Sequence, residues 1–248
     1  MATENAIEFI EDDVVGQKTL EVISNADKFN LWMFDTIRPF LKGRVLEIGS
    51  GIGNISEFLL KEGFDSRLSD IREGYCRMLR QKFAGHPRLL GVEPIDLVDP
   101  DFETRYPQHV GSYDTAFALN VIEHIQDDVL ALKNCHRMLK SGGRMIALVP
   151  SYQPLYNRFD TLLGHYRRYN TGTFSKAFLE AGFEVEHKQY FNFVGIFGWF
   201  LSGNILRKDT IPEGQMKLYN QLVPMIRVID SLVMHSMGLS TIVVGRKR

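Results

Sequence analysis

The stretch that most constrains this chain is Val45 to Asn54, VLEIGSGIGN. Val45, Leu46 and Ile48 read as the end of a buried strand. Gly49, Gly51 and Gly53 follow at alternate positions, and then ISEFLLKEGF places Ile55, Phe58, Leu59 and Leu60 near one face of a helix. Glycine takes positive φ readily and lets a ligand approach the backbone. The helix start adds free N–H groups and a partial positive charge. A strand, a glycine turn and a helix in this order predict a nucleotide-type cofactor site.

The segments that follow repeat the alternation. Arg67 to Ile71 reads as a short strand ending in Asp70, an acid able to accept hydrogen bonds from a ribose diol. A third apolar run, Leu89 to Val92, precedes Asp96 and Leu97. Tyr113 to Asn120 is a fourth strand and runs into VIEH. A helix is expected from Asp128 to Leu139, with Gly142 and Gly143 as its C-cap. Arg144 to Pro150 is nearly all apolar, as a central parallel strand should be. Thr171 to Phe183 reads as a helix with a threonine cap and a stop at Gly182, and FEVEHKQYF as the sixth strand. The seventh is STIVVGRKR, with Ile242 to Val244 central. Strand and helix alternate across Val45 to Pro150, which predicts a doubly wound α/β sheet.

The turn Glu47-Ile48-Gly49-Ser50-Gly51-Ile52-Gly53 has the pattern ExGxGxG, and NVIEHIQDD follows the fourth strand. Together these resemble the class I S-adenosylmethionine-dependent methyltransferases, small-molecule type, over about Phe29 to Tyr190 plus the last strand. The resemblance implies a Rossmann-like, mostly parallel seven-stranded sheet in one domain, 1–248. It divides into an N-terminal helical cap (1–42), a cofactor-binding core (43–190), a helical insertion (191–239) and the last strand (240–248). The implied cofactor is S-adenosylmethionine, with S-adenosylhomocysteine as product. Carried over residue by residue, its site comprises Glu47, Gly49, Ser50, Gly51, Gly53, Asn54, Asp70, Ile71, Asp96, Leu97 and Asn120. Asn30 and Trp32 join it from the helix that often closes over this cofactor in the family. GHYRRY, Gly164 to Tyr169, resembles a segment of bacterial methyltransferases of glycan and secondary-metabolite pathways.

The loop that contains it, Ser151 to Asn170, is dense in hydrogen-bonding aromatics and arginine, whose planar fork recognises carboxylate or phosphate. Tyr152, Tyr156, Arg167, Arg168 and Tyr169 are therefore the candidate substrate contacts, for a small polar or anionic acceptor. His165 is the first candidate base and His124 the second, with Tyr166 orienting the acceptor. The expected reaction is methyl transfer to an O or N nucleophile. A catalytically inactive cofactor-binding subunit and an NAD(P)-dependent oxidoreductase stay open, the second because Asp70 would serve either ribose.

With 248 residues, one elaborated α/β domain fits the length, and a net charge of −1 carries no nucleic-acid signature. Cys76 and Cys135 match no metal spacing and read as buried free thiols in a reducing compartment. No other metal-ligand spacing stands out. The start, MATENAIEFIEDD, is acidic rather than basic-then-apolar, so a cytoplasmic protein is expected. Tyr190 to Leu206 carries no charge. At seventeen residues it is short for a bilayer span. The readings left open there are a lid, an interface in a monomer or homodimer, and a peripheral membrane contact.

Overall fold

All four residues of β1 (Val45–Ile48) are buried, because this strand is covered on both faces. The computed structural model describes residues 14–206, 208 and 212–248. The expectation for the acidic start of the chain lies outside them. Two helices, α1 (Val14–Ser24) and α2 (Asp27–Ile37), precede β1. The alternation that follows is α3 (Ser56–Lys61), β2 (Ser66–Ser69), α4 (Glu73–Lys82), β3 (Leu89–Glu93), α5 (Phe102–Arg105), β4 (Tyr113–Leu119), α6 (Asp128–Met138) and β5 (Leu139–Pro150). Then come α7 (Arg158–Leu162), α8 (Thr171–Glu180), β6 (Glu184–Phe191), α9 (Phe193–Trp199), α10 (Glu213–Leu232) and β7 (Ser240–Arg246).

The sheet order is β3-β2-β1-β4-β5-β7-β6. Strands β1 to β5 pair in parallel, and β7 runs antiparallel between β5 and β6. The order reverses between β1 and β4, the place where open α/β sheets form a crevice beyond their strand ends. Alternation sends Leu46, Ala116, Met145 and Val243 to one face, where they meet Phe174 and Phe178 of α8 and Leu132 of α6. Val45, Phe117, Ile146 and Ile242 go to the other, against Trp32, Phe34 and Ile37 of α2 and Val223 and Ile226 of α10.

Two local expectations are corrected. Helix α6 stops at Met138, and Leu139 is already extended, so Gly142 and Gly143 lie inside β5 rather than capping a helix. The backbone explains this: the Gly142 N–H donates to the carbonyl of Lys247, tying the segment to the chain after β7. The cap of α8 is Asn170, whose side chain accepts from the Thr173 N–H while the Thr173 hydroxyl accepts from the Asn170 N–H. An amide oxygen at that position outcompetes the expected threonine.

Three non-glycine residues just past strand ends have left-handed backbones: Asn120 (φ 55°) after β4, Tyr152 (φ 62°) after β5 and Asn192 (φ 70°) after β6. Each turns the chain sharply at the end of the sheet that carries the crevice. The uncharged stretch 190–206 becomes the end of β6, α9 and a π-helical turn, Phe200–Ile205. Among the described residues no helix is long and apolar enough to cross a membrane. Phe197, Phe200, Leu201, Ile205 and Leu206 of this stretch are exposed.

Candidate active site

One cavity of about 860 Å³ opens at the C-terminal ends of β1, β2 and β4. Its floor is the turn between β1 and α3, where Gly49, Ser50, Gly51 and Asn54 line the wall beside Glu47. Gly49 sits at φ +70°, and a Cβ there would lie 2.3 Å from Cγ2 of Val121. The turn is thus wedged against the segment that leaves β4. Asp70, at the end of β2, is buried and braces the same turn. Its Oδ2 accepts from the Gly51 N–H at 3.0 Å, and its Oδ1 accepts from the Arg72 N–H at 3.0 Å. Asp70 also lines the cavity, where a carboxylate at the end of the second strand is the group that accepts from a ribose diol.

Glu47 is almost fully buried, and its Oε2 accepts from the Ser56 hydroxyl at 2.6 Å. Burial pushes its pKa up to about 8, against the pull of the Ser56 and Ser50 hydrogen bonds. Beyond β3, Leu97 is buried on the wall, and Asp96 Oδ1 accepts from the Val98 N–H at 2.9 Å. Ile71, Asn120 and Asn30 also reach the cavity. The Asn54 amide donates to the carbonyl of Leu20 at 3.3 Å, which ties the turn to α1. Through Thr19, Leu20 and Ile23 that helix forms part of the wall.

The other end of the cavity is built by the segments after β4 and β5. Tyr166 N–H donates to the Glu123 carbonyl at 2.8 Å, so the GHYRRY loop lies along the turn after β4. Glu123, His124, His165, Tyr166 and Arg168 all line this end. The His124 and His165 rings stand edge to face, centroids 4.6 Å apart. Asp160 organises the base of the site. It is fully buried, and its Oδ1 meets His165 Nδ1 at 2.8 Å and accepts from Arg168 Nε at 2.9 Å. Burial works to raise the Asp160 pKa, but the hydrogen bond with His165 and the charge of Arg168 outweigh it and hold the carboxyl ionised. Arg168 also donates to the Ser151 carbonyl and lies 4.4 Å over the Trp199 ring. Glu123 is pushed up to about 7 by burial, opposed by the neighbouring His165 ring and the positive charge of Arg168. His124 is solvent-exposed along the cavity, and the partial desolvation of its ring there lowers its pKa.

Several residues expected at the site lie behind its wall. Trp32 is buried against Phe191, centroids 4.3 Å apart, because α2 turns its indole into the core. Gly53 backs onto Phe83 and Leu79 of the α4 region. Among the expected acceptor contacts, Arg168 alone lines the cavity, and its guanidinium is committed to Asp160. Tyr169 donates to Asp128 at 2.7 Å, and Arg167 pairs with the same carboxylate at 3.2 Å. The Tyr156 hydroxyl donates to the His165 carbonyl, and Tyr152 stacks on Tyr190. These side chains hold the loop in shape. Conversely, Phe159, Trp199, Gln215 and Tyr219 line the cavity from α7, α9 and α10; Trp199 lies in the stretch for which a lid was one reading, and none of the four was singled out as a site residue.

The geometry fits S-adenosylmethionine: a glycine turn wedged by Val121, a braced acid after β2, an apolar wall at Leu97 and a buried acid at Glu47. Pockets for such ligands run from about 300 to 1,000 Å³. Residues 46–145 match the family model described as a methyltransferase domain. The lovastatin nonaketide synthase of Monascus pilosus is 32% identical over 108 residues, 42% of this chain and 3% of that one. A ubiquinone biosynthesis O-methyltransferase of Marinobacter nauticus is 30% identical over 113 residues, 45% of each. The chain thus spans less than half the length of the curated relatives it matches. Among solved structures, a Thermotoga maritima protein described as an S-adenosylmethionine-dependent methyltransferase, possible histamine N-methyltransferase, superposes with a TM-score of 0.63. It covers 96% of this chain and 98% of its own, at 16% identity. A Haemonchus contortus phosphoethanolamine N-methyltransferase 2, solved with S-adenosylmethionine, gives 0.58 at 17% identity, over 88% of this chain and 52% of its own. Residues 46–145 thus carry a methyltransferase domain, and the chain shares the fold of S-adenosylmethionine-dependent methyltransferases.

Proposed function

We propose that this protein transfers a methyl group from S-adenosylmethionine to an oxygen or nitrogen of a small, polar or anionic acceptor. The observation that carries the reading is one cavity with two differently furnished ends. Glu47, Gly49, Gly51, Asp70 and Leu97 stand at one end, and Glu123, His124, His165 and Tyr166 at the other. When bound, the cofactor supplies an electrophilic methyl on a sulfonium: its C–S bond breaks as the acceptor atom takes the carbon, leaving S-adenosylhomocysteine and one proton. The chain's own task is mainly positioning. Asp70 and the glycine turn fix the nucleoside, and Glu47 stands beside the turn to order it.

At the far end, His165 is the first candidate to take the acceptor's proton. Asp160 fixes one ring nitrogen and leaves the other available. Tyr166, half-exposed at the cavity, is placed to orient the acceptor. Arg168 sets positive charge near the bound acceptor, even though Asp160 engages it. The chain is too evenly charged for nucleic acid. We read the protein as cytoplasmic, on its two free buried cysteines, Cys76 and Cys135.

The test is calorimetry of the purified protein with S-adenosylmethionine, S-adenosylhomocysteine and NADH, followed by an acceptor screen with methyl-labelled cofactor. Micromolar binding of the two sulfur nucleosides, without NADH, is expected. A folded protein that binds neither nucleoside overturns the proposal, and NADH binding moves it to the oxidoreductases. Labelled product that appears in wild type and not in His165→Ala, at equal cofactor affinity, assigns the base.

A further inference from the structure

The fold gathers three donor groups that the sequence scatters, and we propose that Glu123, His124 and His165 bind a divalent transition-metal cation at the acceptor end of the cavity. Their ligand atoms all lie within 4.8 Å of one another. The Glu123 side chain is wholly buried, and neither of its carboxylate oxygens has a hydrogen-bond partner among the described residues. A buried carboxylate left in that state is costly, and such groups are normally paired or bound to a metal. Arg168, the neighbouring cation, donates instead to Asp160 and to the Ser151 carbonyl.

The two imidazoles are prepared in the way metal-binding histidines are. His165 is held at Nδ1 by Asp160, which is itself held by Arg168 Nε and by the Asn157 N–H at 2.9 Å. That arrangement puts the proton on Nδ1 and leaves the Nε2 lone pair free, the carboxylate–histidine pairing that orients metal ligands. The His124 ring stands edge to face with His165, which holds the two side by side. Two imidazoles and one carboxylate suit Zn²⁺, Mn²⁺ or Fe²⁺ better than Ca²⁺ or Mg²⁺, and a three-ligand set leaves coordination positions open. All three residues line the cavity. With the cation bound, His165 would serve as ligand in place of base: an acceptor hydroxyl at an open position would be acidified and lose its proton to water. This last step rests on the reading given under Proposed function; cation binding itself does not.

The test uses the full chain, stripped with a chelator and titrated with MnCl₂ while electron paramagnetic resonance reads free Mn²⁺. Zn²⁺ is followed in parallel by competition with a chromophoric chelator. One cation per chain is expected in wild type. Glu123→Gln and His165→Asn should weaken it by about a hundredfold, and Asp160→Asn by about tenfold to a hundredfold through the orientation of His165. Circular dichroism and S-adenosylhomocysteine calorimetry on the same samples separate folding and cofactor binding from metal loss. If Glu123→Gln does not fold, His165→Asn decides. Wild type that binds neither cation overturns the proposal, as does stoichiometric binding that both ligand variants leave intact. Cation binding without nucleoside binding would uphold this site and overturn the methyl-transfer reading.

Discussion

At the scale of single residues, two buried acids beside the glycine turn have opposite characters. Asp70 receives two backbone N–H groups and braces the turn. Asp70→Ala removes that brace and the diol acceptor together, and hydrogen bonds to a charged group are each worth about 1.5–3 kcal/mol. Affinity for S-adenosylhomocysteine should fall about tenfold or more by calorimetry, and an unchanged affinity in a folded variant would dissociate Asp70 from the ribose. Glu47 instead holds a proton that burial favours, up to a pH of about 8 from an ordinary value of 4.5. The folded state therefore keeps a proton that the unfolded chain releases across this window. Stability attributable to Glu47 must fall as pH rises from 4.5 to 8 and level off above. Glu47→Gln cannot ionise, so its denaturation midpoint should lose that slope. An identical pH dependence in variant and wild type would refute the assignment.

At the scale of elements, the turns did more than the propensities to make the fold legible. The β1–glycine–α3 unit stood out because a buried strand must be apolar and a tight cofactor turn must be glycine. Both requirements are local, and both are written in consecutive residues. The acceptor end was legible only in part. Glu123 and His124 lie some forty positions from His165, and one backbone hydrogen bond, from Tyr166 to Glu123, closes that distance. The tyrosines and arginines of the GHYRRY loop looked like acceptor contacts because a sequence shows chemical type and not direction. In the fold, Tyr156, Arg167 and Tyr169 point inward to Asp128 and to the loop's own backbone. For Trp199 the sequence left a lid, an interface and a membrane contact open, because nothing local says that α9 returns to the cavity; Tyr219 of α10 was not singled out. The wedge at Gly49 gives a test at this scale. Gly49→Ala meets both a left-handed backbone and Val121, costs of about 1–2 and 1–3 kcal/mol. Val121→Ala should restore the second part alone. If the double variant is no more stable than Gly49→Ala in urea, the turn is not wedged.

At the scale of the whole molecule, the cavity wall is shared by α1, the parallel core and the helices between β6 and β7. A ligand bound there contacts α1, the parallel core and α10 together, beside the Asn54–Leu20 bond that ties α1 to the glycine turn. S-adenosylhomocysteine should therefore slow amide hydrogen exchange in residues 14–24 as well as in 49–55, measured by mass spectrometry. Protection confined to the core would mean that α1 does not close on the ligand. The antiparallel strand has a different consequence, one that concerns synthesis. β7 pairs with β5 from Arg144 to Pro150 and with β6 from Glu184 to Phe191, so it fills the gap between two strands made long before it. A nascent chain that has emerged only as far as residue 239 holds two unpaired sheet edges facing each other, the kind of surface on which neighbouring chains aggregate. Chaperone holdases should bind this protein most strongly during that interval, and the arrival of seven residues closes both edges at once.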